Sequence, residues 1–218
     1  MGFLTAEPYL VFVPTTRCLR IVLAGLAVVQ LWGGRGAAAQ TDTLRLIPRY
    51  SEMEWMLTAA EGTYVADGSI AGLEGWALWE MPAAAPEALQ FVAHTATLRS
   101  NDRKMERLLK SEEFFWPERY PEMRFVLNSA KHIRKDHWEM NGSLQMRGTQ
   151  QRFNFPATLE RGKQYIQLNA RLSVDRTAFG STFGSNSARG IGKDVAISDI
   201  IFFDIRLRYI QPLDTSEE

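Results

Sequence analysis

The sequence predicts an all-β fold, an eight-stranded antiparallel β-barrel with one short helix at its mouth. Three observations carry that prediction. Apolar and polar residues alternate with a period of two over most of the chain after residue 50. Short polar turns, several with glycine, separate the alternating runs. Only one stretch departs to helical spacing. Side chains on a strand point alternately to its two faces, so each run has a dry face and a wet face.

In chain order, a leader comes first. Arg17 and Arg20 precede an apolar run from Ile21 to Trp32, followed by Gly33-Gly34-Arg35-Gly36 and Ala37-Ala38-Ala39. A basic region, a short apolar core and small residues at a cleavage point describe a secretory signal peptide, residues 1–39. The core is shorter than the roughly 20 apolar residues that span a bilayer. Residues 40–218 then form the mature protein, expected in the periplasm or secreted, with no stable membrane insertion once the leader is gone. The lone cysteine, Cys18, leaves with the leader, so the exported domain has to be stable without disulfides.

Met53, Trp55 and Leu57 alternate with Glu52 and Glu54. Ile70 to Trp79 is Gly-rich and apolar, the mark of a bent strand close to other backbone. Phe91 to Leu98 forms the next strand. Ser100-Asn101-Asp102 can cap a helix, and Met105, Leu108 and Leu109 follow at helical spacing, closed off by Pro117 and Pro121. Met123, Phe125 and Leu127 start another strand. The last four are the clearest: Trp138 to Met146, Phe153 to Leu159, Ile166 to Val174 and Ile201 to Leu207. Short connections make neighbours antiparallel. One-sided strands with no helical layer bury their dry faces in a sandwich or a barrel, and closure removes exposed edges.

Balanced charge, 25 Lys+Arg against 25 Asp+Glu, gives no basic surplus for nucleic acid. Three histidines and one cysteine are a thin supply of soft ligands, so no metal site is expected. Nucleophile elbows, H-E-x-x-H and Cys-His arrangements do not occur, and no carboxylate pair stands out; neither enzyme activity nor a cofactor is expected. His132 and His137 flank what reads as a hairpin turn. Arg176 sits in a turn where arginine is usually buried or paired. The Gly/Ser-rich loop 180–193, with Arg189 and Lys193, and the helix residues Arg103, Lys104 and Arg107 are polar candidates for an anionic group, although a solvated loop and a wet helix face are the commoner meanings.

By parity the inward faces are aromatic: Trp55, Phe91, Phe125, Phe153, Phe155 and Phe203. Such a lining serves either a tunnel for a greasy ligand or a narrow barrel filled by its own side chains.

Four motifs now point to a family. Lys110-Ser111, Phe114-Phe115, Tyr120-Pro121 and Phe125 form the first, and Gly142-Ser143-Leu144 with Arg147-Gly148-Thr149 the second. Arg176-Thr177-Ala178-Phe179-Gly180 is the third, and Asp194-Val195 with the closing alternating strand the fourth. Together they resemble the YceI-like lipid/polyisoprenoid-binding family. The chain departs from that family's pattern at Tyr50-Ser51, where His-Ser is usual. It also reads Met105-Glu106-Arg107-Leu108-Leu109 in place of Arg-Asp-x-His-Leu.

The resemblance implies a lipocalin-like barrel holding a long apolar ligand, of polyisoprenoid, quinone or fatty-acyl type. Expected cavity residues are Trp55, Phe125, Leu127, Phe153, Phe155, Leu168, Leu172, Phe203 and Ile205, with Met105, Leu108 and Leu109 closing the mouth. A ligand of roughly 20–40 carbons, at about 0.3 kcal/mol per heavy atom, would bind with micromolar-to-nanomolar affinity. The alternative is a structural or interaction barrel with a packed core and no ligand, acting through its surface or as a homodimer.

Overall fold

The computed structural model describes residues 41–59, 62–80, 85–185 and 196–210. The leader, Arg189 and Lys193 lie outside the described residues. These comprise eleven strand segments and one α-helix: β1 Thr41–Leu46, β2 Glu52–Ala59, β3 Tyr64–Ile70, β4 Leu73–Glu80, β5 Ala88–His94, β6 Leu98–Ser100, α1 Arg103–Lys110, β7 Glu122–Arg134, β8 His137–Met146, β9 Thr149–Arg161, β10 Tyr165–Asp175 and β11 Ile197–Ile210.

Eleven segments make eight strands. The pairs β1/β2, β3/β4 and β5/β6 are each the two arms of one bent strand. Neighbours pair in the order β1-β4-β5-β7-β8-β9-β10-β11-β2-β3-β6, all antiparallel, and a β1–β11 pairing closes the ring. The expected eight-stranded antiparallel barrel is present.

The three bends fall side by side. Residues 47–51 interrupt the first strand, 71–72 the second and 95–97 the third, forming a crease across adjacent strands. The Gly72 amide donates to Thr97 Oγ1 at 2.9 Å, and the His94 amide donates to the Gly72 carbonyl at 2.8 Å. A Cβ on Gly72 would lie 2.9 Å from Thr97 Cγ2, so the crease needs glycine there. β11 runs straight past it, pairing with β1 below and β2 above.

Where the sequence alternates, burial alternates. Trp138, Met140, Gly142, Leu144 and Met146 of β8 are buried, as are Ile201, Phe203, Ile205, Leu207 and Tyr209 of β11. Arg147 and Gly148, with φ of 50° and 73°, form the tight β8–β9 turn whose positive dihedrals suit a twisted two-residue hairpin. β7 keeps its alternation only to Leu127. A bulge between Leu127 and Ser129 follows, and Lys131 to Lys135 are exposed at the hairpin tip.

Helix α1 forms where the cap signal predicts. The Asp102 carboxylate accepts the amides of Lys104 and Met105 and the hydroxyl of Tyr64. Met105 and Leu109 are buried, while Arg103, Lys104 and Arg107 face water. The Tyr64 hydrogen bond, followed by the two amides, holds the Asp102 carboxyl below its ordinary pKa. A depressed carboxyl stabilises the fold above the ordinary carboxylate pKa, and that contribution fades as pH falls through the folded value. Asp102→Ala is therefore expected to lower Tm at neutral pH, with the gap to wild type narrowing on acidification. An equal gap at every pH would show that the carboxylate charge contributes nothing.

Candidate functional site

All twelve residues expected at the site meet in, or pack against, one continuous apolar core inside the barrel. Trp55 on β2 is buried, and its indole N–H donates to the Arg99 carbonyl at 3.1 Å. Its ring lies over Gly68, where a Cβ would sit 2.8 Å from Trp55 Cζ2. Phe203 and Ile205 of β11 and Leu168 and Leu172 of β10 are buried on the adjoining wall, and Phe125 and Leu127 of β7 on another. Phe155 is buried on β9, whereas Phe153 is half-buried. On α1, Met105 and Leu109 are core residues and Leu108 packs against them half-buried.

The aromatic rings form a file across the interior. Phe153 lies 5.8 Å from Phe155, Phe155 lies 5.1 Å from Phe125 edge-on, and Phe125 stacks on Phe91 at 5.5 Å. Such pairs hold each ring in place beyond the gain from area alone. The interior faces are carbon, an environment suited to groups that avoid water.

One end of the barrel is tied by Arg176, which is completely buried. It donates to the carbonyls of Ser198 at 2.9 Å, Ser181 at 2.7 Å and Ile197 at 3.0 Å. Its guanidinium lies 4.8 Å over the Phe114 ring, and the Asp199 carboxylate is 3.6 Å away. Burial pushes its pKa down, opposed by Asp199 and Asp175; a guanidinium stays charged regardless. Ser181 Oγ donates to the Glu113 carbonyl at 2.8 Å, and Arg147 donates to the carbonyls of Glu112 and Phe114. The turn after β10 and the segment after α1 are thus bound into one closure.

Phe114 and Phe115, both buried, belong to this closure, and Phe179 is buried in the same core cluster. The period-two pattern could not assign Phe114 and Phe115, because they lie on neither a strand nor the helix; the family motif that contains them was the signal. The histidines are dispersed. His94 reaches Glu74, His137 reaches Asp136, and His132 lies against the Trp138 ring at 4.7 Å. Among the described residues no group of three potential metal ligands is assembled, and no helix is long and apolar enough to cross a membrane.

A family model, the YceI-like domain, matches residues 45–207. No curated protein matches the chain. Among solved structures it is similar to BcnA of Burkholderia cenocepacia, with 15% identity, a TM-score of 0.63 and coverage of 75% of this chain and 98% of that one. It is also similar to a polyisoprenoid binding domain from Saccharophagus degradans implicated in plant cell wall breakdown. There the identity is 12%, the TM-score 0.62 and the coverage 79% and 100%. A YceI protein of Campylobacter jejuni gives 18%, 0.56, and 66% and 84%. At these identities the likenesses establish the barrel architecture.

Proposed function

We propose, from the fact that the chain belongs to the YceI-like family, that it is an exported carrier holding a long apolar chain inside its barrel. The observation that carries this is the continuous interior of the twelve core residues and the Phe153–Phe155–Phe125–Phe91 file. The ligand class is an isoprenoid, quinone or fatty-acyl chain, in keeping with the polyisoprenoid binding of the Saccharophagus domain. The signal-type leader supports periplasmic or secreted action. Binding alone accounts for the interior, with no catalytic step required.

A specific observation favours a second reading. Trp55 presses on Gly68 and Phe125 on Gly142, where an added Cβ would be 2.4 Å from Phe125 Cζ. Side chains packed this tightly are also what a filled, ligand-free barrel would contain. Native mass spectrometry of gently purified protein separates the two. The carrier is expected to retain an adduct of lipid mass, or to gain one when delipidated protein meets a long-chain lipid. A clean apo mass with no uptake assigns the barrel to the packed-core class.

A further inference from the structure

The walls of the barrel are not equally sealed. Strands β8 and β9 pair from His137↔Thr158 to Met146↔Thr149, and β10 and β11 pair along all of β10. Between β9 and β10, however, pairing runs only from Arg161↔Ile166 to Ala157↔Ala170. Beyond Ala157, residues 149–156 of β9 and 171–175 of β10 have no ladder partner across this seam among the described residues.

The cause is visible in the chain. Pro156 is the first residue past the last pair. Proline has no N–H to give to a ladder, which confines it to edges and to places where pairing stops.

Both ends of the parted stretch are clasped. On the paired side, Asn169 Nδ2 donates to Glu160 Oε1 at 3.1 Å and Thr158 Oγ1 at 3.4 Å. At the far end, Gln151 Nε2 donates to the Ala178 carbonyl at 3.2 Å. From Gln151 to Ala157 the gap is roughly 20 Å long at strand rise. It is tied above and below, and its inward-facing positions are carbon. Phe153 is half-buried on its β9 edge, Ala170 is half-buried at its foot, and Leu172 is buried on its β10 edge. Phe153 also begins the ring file into the core.

We infer that the parted β9–β10 seam is the portal through which a single hydrocarbon chain passes sideways over Phe153 into the barrel. This rests on the carrier reading above. A strand from another protein does not suit the gap, since the free β10 edge spans only residues 171–175 and both ends are tied. A hydrocarbon tail needs no ladder partners and can slide in along its length.

Stapling the seam tests this. Asn154 and Ser173 are both exposed, one on each lip, and fall opposite each other if the register is continued. The mature chain has no cysteine to interfere. Asn154→Cys/Ser173→Cys, bridged by a bis-methanethiosulfonate reagent, closes the gap, and dithiothreitol reopens it in the same molecules. The control is Asn141→Cys/Asn154→Cys with the same bridge, across the already paired β8–β9 ladder. Uptake of cis-parinaric acid by delipidated protein is followed by stopped-flow fluorescence. The seam staple is expected to slow association on the order of tenfold, since binding now has to wait for another opening. Reduction should restore the rate, and the control staple should leave it unchanged. An unchanged rate in the seam-stapled protein, or equal slowing by both staples, overturns the portal. If neither cis-parinaric acid nor any other long-chain lipid enters the unstapled protein, the carrier reading fails and the portal with it.

Discussion

Arg176→Ala is expected to cost about 3–5 kcal/mol of unfolding free energy, the largest single-residue loss expected in this barrel. The side chain has no exposed surface, and its three donors end on the carbonyls of Ser181, Ile197 and Ser198. Truncation leaves those carbonyls, the Asp199 carboxylate and the face of Phe114 without their common partner. For a domain of this size the loss corresponds to a Tm lower by about 10 °C. Arg176→Lys keeps the charge but cannot reproduce a planar fork reaching three acceptors, so it should recover only part of the loss. Urea unfolding of the three proteins decides the matter. A loss below about 1 kcal/mol for alanine, in the range of an ordinary surface ion pair, would mean that Arg176 does not hold the end of the barrel.

Gly142→Val should be nearly as severe, about 3 kcal/mol, near the top of the usual overpacking range. A Cβ there would meet the Val126 carbonyl oxygen at 2.3 Å and Phe125 atoms at 2.4 and 2.6 Å. The first contact is backbone in a paired strand and cannot turn aside. The second is a ring already fixed between Phe91 and Phe155. Displacing Phe125 would disturb the file, so under the carrier function proposed above lipid affinity should fall along with stability. Gly180→Ala is the contrasting case. Gly180 has φ of 80°, and an added Cβ would meet nothing within 4 Å, so only backbone strain of about 1–2 kcal/mol opposes the change. If Gly142→Val unfolds at the same urea concentration as wild type, the interior has more slack than these distances allow.

Local pattern exposed much of this architecture and concealed an instructive remainder. Where both faces of a strand meet plain environments, as in β8 and in β11 from Ile201 onward, alternation in sequence became alternation in burial. Ser100-Asn101-Asp102 marked the start of α1 because capping is a local hydrogen-bonding event. β3 went unrecognised for a physical reason. Its inward positions include the small Ala66 and a half-buried Gly68, and at Gly68 Trp55 from β2 occupies the space a side chain would need. Hydropathy registers no such debt to a neighbour. The stretch from Phe91 to Leu98 reads as one strand, but Thr95–Thr97 interrupts it to keep the crease in line with Gly72.

The candidate site was legible as parity and blank as geometry. Every inward position named from the pattern lies in or against the core, including the half-buried Phe153. The shortened β9–β10 seam was not legible, because pairing depends on a second strand that no local window contains. Pro156 was its single trace in the sequence. The buried role of Arg176 follows a rule of thumb for such turns, yet its three acceptors come from segments joined only in the folded chain.

The crease has a dynamic consequence. It severs the amide ladders of the first three strands at one level, leaving β2, β3 and β6 on one side and β1, β4 and β5 on the other. Proteins open in contiguous cooperative blocks, and a line of missing ladder bonds is a natural boundary between two of them. Deuterium labelling should therefore find the upper and lower arms of these strands exchanging at separate rates, with β11 as the common spine that slows both.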